Sequence, residues 1–378
     1  MIHIYFLKAV VYLEEKFMNL AIELANLGKG HVNPNPLVGA VIVKNKNIIG
    51  QGYHEKYGDN HGEINAFNSA TESVVNSDLY VTLEPCSHYG KTPPCVDRII
   101  KEQVARVFIG SLDPNPLVAG RGVSKLKNAG IEVVVGVLEE QCKNINEVFF
   151  KYIETKKPFV LMKWAMSLDG KIASKTGESK WITGEIARNN VHKLRNEFSG
   201  IMVGVNTIIK DNPRLDCRIE NGRNPIRIIV DSKLRIPIDS KVLNHGDFKT
   251  IIATTKLCDN KKLKTLEDLG AKVIIVTEKN HRVDLNKLMK ILGDMNIDSI
   301  LLEGGGVLNF SALESNIVDK IQVYIAPKII GGKDSKTPVE GNGIEFLKDA
   351  YSIGEWSTNM IGNDLFIEGY LNNKCEAK

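Results

Sequence analysis

Short runs of aliphatic and β-branched residues recur along the whole chain. They read "VGAVIV" at 38–43, "DLYVTL" at 78–83, "VARVFIG" at 104–110 and "IEVVVGV" at 131–137. Further on come "FVLM" at 159–162, "GIMVGV" at 200–205, "IRIIV" at 226–230, "TIIATT" at 250–255, "AKVIIV" at 271–276, "SILL" at 299–302 and "KIQVYIA" at 320–326. Runs this short and apolar at successive positions suit strands buried on both faces. Helical stretches lie between several of them. One is Glu14–Leu27, with Phe17, Leu20, Ala21, Leu24 and Leu27 on one face, stopped by Gly28 and Gly30. Alternating strands and helices define an α/β chain. The polar, Pro-bearing stretch "FKYIETKKPFV" at 150–160 marks a seam, so two domains are expected, 1–150 and 158–378.

Composition narrows the class. Net charge is +4 and aromatic residues make up 7% of the 378. No basic run appears, so a partner of the nucleic-acid class, which calls for a basic, aromatic-bearing surface, is not expected. No apolar run reaches the roughly 20 residues that span a bilayer, so no membrane is expected either. The opening "MIHIYFLKAVVYLEEKF" lacks a basic n-region and a small-residue cleavage site, and no leader is expected. The six Cys, at 86, 95, 142, 217, 258 and 375, are too sparse for a disulfide framework. A reducing, cytoplasmic setting follows as the expectation.

Two of those Cys carry the first chemical signal. "HGEINA" at 61–66 and "PCSHYGKTPPC" at 85–95 place one His, one Glu and two Cys in a short span. His61, Cys86 and Cys95 offer one imidazole and two thiolates, the soft donor set that favours zinc, and three protein ligands leave a position open for water. Glu63, two residues from His61, is placed to move protons between that water and a leaving amine without being a ligand. A structural metal site calls for four ligands and no adjacent acid.

H-x-E followed by P-C and a second Cys resembles the cytidine-deaminase-like superfamily, an α/β/α fold. "PNPLVGAVIV", "GYHEKYGDNHGEINA", "PCSHYGKTPPC" and "DPNPLVAGRG" are together similar to the deaminase half of the bifunctional riboflavin biosynthesis family. That resemblance implies removal of an amino group from a diaminopyrimidine that carries ribose 5-phosphate. It also implies that Asn35, His54, His88, Lys91 and Asn115 line the substrate pocket. Asn amides can read a pyrimidine edge with donor and acceptor, and Lys91 can meet a phosphate. Gly62 stands where Ala is usual in the family, and little effect is expected from it.

The second half carries "ILLEGGGVLNFSAL" at 300–313, an apolar strand, three glycines and a helical run. Backbone N–H groups at such a junction cradle phosphate, although the Rossmann G-x-G-x-x-G is not matched. "SKWITG" presents Trp181 as a flat apolar surface, with Thr183 as a helix N-cap. Ala187, Val191, Leu194 and Phe198 then share one helix face, and Arg195 projects near its edge. "GVNTIIKDNPRLDCR" adds Thr207, Asp211 and Arg218. From about Pro158 to Leu371 these stretches resemble the reductase half of the same family, whose fold is like dihydrofolate reductase. The resemblance implies NADPH reduction of the ribosyl chain to a ribityl chain, through a ring-opened, imine-like form. By position, Ala165, Trp181, Thr207, Asp211, Ser232 and the segment Gly305, Gly306, Val307, Leu308, Asn309, Phe310 and Ser311 contact NADPH. Ser179, Arg195, Leu215, Arg218 and Glu303 contact the substrate, and Lys163 and Glu303 are the candidate polar groups beside the reacting carbon. Trp164 is bulkier than the family leads one to expect. One zinc ion, NADPH, a small phosphorylated pyrimidine and a homo-oligomer complete the expectation.

Overall fold

The computed structural model describes residues 2–89, 93–115, 119–244, 246–247 and 249–372, with side chains from residue 13 onward. The chain divides into two units, Met1–Lys156 and Lys157–Lys378.

In the first unit the elements run α1 (Ile2–Asn26), β1 (Gly39–Lys44), β2 (Asn47–Tyr53), α2 (Gly62–Asn68), β3 (Asp78–Leu83), α3 (Cys95–Lys101), β4 (Arg106–Ser111), α4 (Arg121–Asn128), β5 (Glu132–Val135), α5 (Glu139–Ile145) and α6 (Glu147–Thr155). The sheet order is β2-β1-β3-β4-β5. β1 is antiparallel to both β2 and β3, whereas β3, β4 and β5 are parallel. β1, β3 and β4 bury both faces, which explains their unbroken apolar runs, whereas the edge strands β2 and β5 keep exposed positions. On one side Ala40, Ile42, Leu79, Val81, Val107 and Ile109 pack with Ala66 and Phe67 of α2, Val96 and Ile99 of α3 and Leu126 of α4. On the other, Val41, Val43, Tyr80 and Phe108 pack with Phe17, Met18 and Ala21 of α1 and Cys142 of α5. Fully burying one such aliphatic side chain contributes about 1.5–3 kcal/mol, so the sandwich holds by area. The helix α1 begins at Ile2 rather than near Glu14. Neither Gly nor Pro falls between residues 2 and 26, so nothing interrupts its hydrogen-bond ladder.

The second unit runs β6 (Phe159–Ser167), α7 (Glu185–Glu197), β7 (Gly200–Gly204), α8 (Val205–Asp211), β8 (Ile226–Val230), β9 (Thr250–Thr254), α9 (Asn260–Asp268), β10 (Lys272–Ile275), β11 (Glu278–Lys279), β12 (Arg282–Val283), α10 (Leu285–Asp294), β13 (Ser299–Leu302), α11 (Gly306–Glu314), β14 (Lys320–Ala326), β15 (Ile353–Ile361) and β16 (Asp364–Leu371). Its nine-stranded sheet has the order β10-β9-β8-β7-β13-β6-β14-β16-β15, and β11 and β12 form a separate hairpin. The ladder is parallel from β10 to β14, and β16 and β15 add on antiparallel. One face packs Val160, Met162, Ile300 and Leu302 with Leu288 and Leu292 of α10 and Ala312 and Leu313 of α11. The opposite face of β7, β8 and β9 packs with Val205 and Ile208 of α8 and Leu266 of α9.

One local expectation is corrected. The N-cap of α7 is Gly184, not Thr183. The Thr183 side chain is buried, and its carbonyl accepts from Arg188 Nη1 at 2.8 Å. The Gly184 N–H is held instead by the Asp364 carboxylate, at 2.7 Å.

Candidate active sites

The first site forms where β3 and β4 leave the sheet at their C-terminal ends, the usual place for a ligand in an open α/β sheet. His61 is the N-cap of α2, in extended backbone, so its ring stands clear of the helix. Cys86 follows β3. Cys95 is the first residue of α3, after Pro94 at the N-cap, where a proline costs no hydrogen bond. His61 Nδ1 lies 3.6 Å from Cys86 Sγ and 3.3 Å from Cys95 Sγ. All three ligand atoms fall within 4.8 Å of one another. A tetrahedral ion with bonds of about 2.3 Å to sulfur and about 2.0 Å to nitrogen separates those atoms by roughly 3.5 Å, so the three groups fit zinc.

The electrostatics suit the same ion. Cys95 draws the Cys86 thiol down to about 4 against the effect of burial, with His61 assisting. The backbone N–H of Cys95 also donates to Cys86 Sγ, at 3.2 Å. The hydrogen bond to Cys86 in turn pushes His61 up to about 9. The same Cys86–Cys95 interaction and burial push the Cys95 thiol up, so an ion bound by all three groups must displace protons from His61 and Cys95. Glu63, the second residue of α2, is 3% exposed, and its Oε2 has no hydrogen-bond partner among the described residues. Burial raises its pKa. A buried, unpaired carboxyl oxygen is costly unless a polar group comes to meet it.

Two of the expected pocket residues form a chain beside this centre. The His54 ring packs edge-on to His61, with centroids 5.5 Å apart. Its Nδ1 meets the Asn60 carbonyl at 2.9 Å and its Nε2 meets Asn35 Nδ2 at 3.2 Å. A carbonyl only accepts, so Nδ1 carries the proton and Nε2 accepts from Asn35. Burial lowers the His54 pKa, which keeps the ring neutral. Asn115 is half-buried, its N–H donating to Asp113 Oδ1 at 2.8 Å, and His88 is exposed. Lys91 lies outside the described residues.

The second unit holds a cavity of about 620 Å³. Ser179, Thr207, Asp211, Ser232, Gly305, Gly306, Val307, Leu308 and Ser311 line it. At its floor β13 runs into α11 through three glycines, and a β-carbon at Gly304 would stand 2.5 Å from Asn309 Oδ1. The N–H groups that open a helix lack intrahelical partners and suit a phosphate, although in α11 the Leu308 N–H already donates to the Gly305 carbonyl at 3.0 Å. The walls add cations that sequence reasoning did not single out: Lys210, Lys233, Arg235, Arg282 and Lys336. They come from α8, the loop after β8, β12 and the loop after β14, and only the fold collects them. Such a set fits a phosphate-rich dinucleotide.

Other expected contacts fall elsewhere. Asn309 is buried and donates to the Pro338 carbonyl at 2.8 Å, and Phe310 is buried too. Ala165 packs with Ala187, Val191, Tyr324 and Phe366. Trp181, joined to Lys180 by a cis peptide, is 61% exposed beneath the Arg188 guanidinium. Leu215 sits in the core beside Ile201 and Val203, with φ of 54°, so its backbone rather than its side chain is free to meet a ligand.

A charged cluster lies along the sheet. The β13–β6 register pairs Leu302 with Met162, which brings Glu303 alongside Lys163. Arg195, projecting from α7, meets Glu303 through two bonds of 3.0 Å, and its Nη1 donates to the Asp216 carbonyl at 3.1 Å. Burial raises the Glu303 pKa, but Arg195 and Lys163 outweigh it and hold the carboxyl at about 2. Burial also lowers the pKa of Lys163, whose ammonium lies 5.5 Å from the Tyr324 ring centre. Arg218 and Arg214 both pair with Asp216 at 3.1 Å and are more than half exposed.

These geometries define a zinc-binding deaminase unit joined to a reductase unit. Residues 12–111 match the cytidine and deoxycytidylate deaminase zinc-binding region, and residues 158–359 match the RibD C-terminal domain. The riboflavin biosynthesis protein RibD of Actinobacillus pleuropneumoniae is 51% identical over 93% of this chain and 94% of its own. That of Aquifex aeolicus is 44% identical over 94% and 98%. RibD of Acinetobacter baumannii superposes with a TM-score of 0.86 at 34% identity, over 96% of this chain and all (100%) of that one. The Thermotoga maritima diaminohydroxyphosphoribosylaminopyrimidine deaminase/5-amino-6-(5-phosphoribosylamino)uracil reductase does so at 0.83 and 36%, over 96% and 99%. The chain belongs to the RibD family of bifunctional deaminase/reductases of riboflavin biosynthesis.

Proposed function

We propose that the first unit deaminates a small diaminopyrimidine bearing ribose 5-phosphate, and that the second reduces the ribosyl group of the product to a ribityl chain. The observation that carries this reading is the unpaired Glu63 Oε2 beside three ligand atoms matched to zinc. Zinc held by His61, Cys86 and Cys95 supplies a water nucleophile near neutral pH. Glu63 takes a proton from the attacking water and hands one to the leaving amine; its raised pKa suits both halves of that task. Asn35, ordered by neutral His54, and Asn115 read the pyrimidine edge. His88 and Lys91 are the groups that meet the phosphate.

NADPH held by the second unit would supply the hydride for reduction at C1 of the opened sugar. Thr207, Asp211, Ser232, Gly305, Gly306, Val307, Leu308 and Ser311 hold the cofactor, with Asn309 and Phe310 buried behind them and Ala165 and Trp181 on its nicotinamide side. The lining cations support NADPH, whose extra phosphate they can neutralise. Ser179, Arg195, the Leu215 backbone, Arg218 and Glu303 face the substrate. Lys163 and Glu303 orient the reacting carbon, and exposed Arg218 is free to meet the phosphate. The chain acts in the cytoplasm as a homo-oligomer and needs neither nucleic acid nor membrane. Among the described residues no helix is long and apolar enough to cross a bilayer.

The test is near-UV absorbance of NADPH with zinc-loaded protein and the diaminopyrimidine ribosyl phosphate. Absorbance should fall only when that substrate is present. Glu63→Gln should retain zinc, lose ammonia release and still oxidise NADPH when given the deaminated intermediate. Full deamination by that variant would remove Glu63 from proton transfer.

A further inference from the structure

We infer that Glu84 is a positioning residue of the deaminase, anchoring the loop that carries Asn115 to the strand end that carries Cys86. Glu84 is 3% exposed and has no part in the chemistry described above. It directly follows β3, whose Leu83 pairs in parallel register with Ser111 of β4. Its own N–H extends that ladder, donating to the Ser111 carbonyl at 2.9 Å. Beyond this point the two strands part. One continues through Pro85 to Cys86, the other through Leu112 to Asp113 and Asn115.

The Glu84 carboxylate bridges the gap. Its Oε2 accepts from the N–H of Gly120 at 2.9 Å and, more weakly, from that of Asp113 at 3.4 Å. Its Oε1 accepts from the N–H of Val123 at 3.1 Å. Asp113 opens the loop, Gly120 closes it as the N-cap of α4, and Val123 lies in the first turn of that helix. One side chain therefore fastens both feet of the loop. A carboxylate also suits the positive end of α4. The packing leaves no slack: a β-carbon at Gly122 would stand 2.4 Å from the Pro85 carbonyl and 3.0 Å from Glu84 Oε1.

Three donors spread over two oxygens demand an acceptor at both. Glutamine keeps one oxygen and turns an NH2 group toward a backbone N–H, so Glu84→Gln must give up either the bond to Val123 or the two bonds to Gly120 and Asp113. Asn115 then loses its fixed distance from the metal ligands. This rests on the reading that Asn115 contacts the pyrimidine.

The experiment compares Glu84→Gln, Gly122→Ala and Asn115→Ala in the zinc-loaded full chain. Glu84→Gln should keep its zinc and raise the deamination KM by about tenfold, the scale of one weakened charge-assisted hydrogen bond, with kcat changed far less. Amide hydrogen exchange at Gly120 and Val123 should quicken, and reduction of the deaminated intermediate should be unaltered. Gly122→Ala, which crowds the Pro85 carbonyl and the Glu84 side chain while leaving the carboxylate chemically intact, should reproduce the KM effect and carries the test if Glu84→Gln fails to fold. An unchanged KM in both, with a raised KM in Asn115→Ala, overturns the proposal. So does a loss of zinc and kcat at constant KM, which would assign Glu84 to the metal ligands alone. An unchanged KM in all three overturns instead the placing of Asn115 at the substrate.

Discussion

Glu303 illustrates how one residue can be both costly and useful. Its carboxyl is 16% exposed and Arg195 is 14% exposed, so both charges have given up most of their water. The two bonds between them and the nearby Lys163 offset that loss, and the Glu303 pKa falls from the ordinary 4.5 to about 2. A carboxylate depressed in this way contributes stability that is complete above about 4.5 and is lost as pH falls toward 2. A depression of that size corresponds to about 3 kcal/mol. Replacing Glu303 by Gln removes this contribution and strands the Arg195 charge. Urea unfolding of Glu303→Gln should therefore show a deficit of about that scale at pH 7, narrowing below pH 4.5. A deficit that stays constant down to pH 2 would mean the pair holds no such carboxylate. If Glu303 acts in the proposed second site, the same variant should lose reductase turnover by roughly a hundredfold or more while ammonia release is unaffected.

At the level of elements, the helix that carries Glu63 is set by a glycine on the neighbouring strand. A β-carbon at Gly52 of β2 would lie 2.3 Å from the Ala66 nitrogen and 2.7 Å from the Gly62 carbonyl, both backbone atoms of α2. Gly52→Ala must push α2 outward, with an overpacking cost of about 1–3 kcal/mol. Calorimetry should find the deaminase unit destabilised, and deamination should slow because His61 and Glu63 move with the helix. Gly62 itself is tighter than the sequence led us to expect: a β-carbon there would stand 2.7 Å from the Val38 carbonyl. Such backbone approaches are invisible in a string of letters. What was legible was strong and local. The apolar runs became β1, β3 to β10, β13 and β14; all but β5 and β10 are largely buried on both faces, which leaves few polar positions to confuse the pattern. The zinc donors were legible because soft ligands and a proline fall within 35 residues (61–95). β15 escaped notice because most of its positions are exposed, and the β11–β12 hairpin because its strands are two residues long. The Glu84 clamp and the cavity cations depend on contacts that exist only once the parallel ladders form.

Across the whole molecule, the product of one proposed site is the substrate of the other, and among the described residues the groups named for each site come from one unit. Inactivating one should leave the other running. The association of chains is a separate question, and the edge of the larger sheet bears on it. β15 ends the nine-stranded ladder with no further strand beyond it. An unprotected edge exposes backbone donors and acceptors to another chain, and proteins normally shield it with charge, proline or a covering element. Here Glu355 is the only charged residue in β15, and there is no proline. Trp356 is 64% and Met360 63% exposed, and Phe346 and Leu347 in the preceding loop are 54% and 92% exposed. Gly369 on β16 makes room for Trp356, since a β-carbon there would stand 2.7 Å from the Trp356 Cβ. Exposed apolar surface of this extent marks an association site, and a second copy of the same edge supplies matching strand and side chains. Sedimentation velocity at micromolar concentration should therefore find an oligomer. The double variant Trp356→Lys, Met360→Lys should sediment as a monomer with an unchanged far-UV spectrum, because both side chains point into solvent and carry no part of the core. A monomeric parent chain, or a double variant that remains associated, would place the contact elsewhere or nowhere.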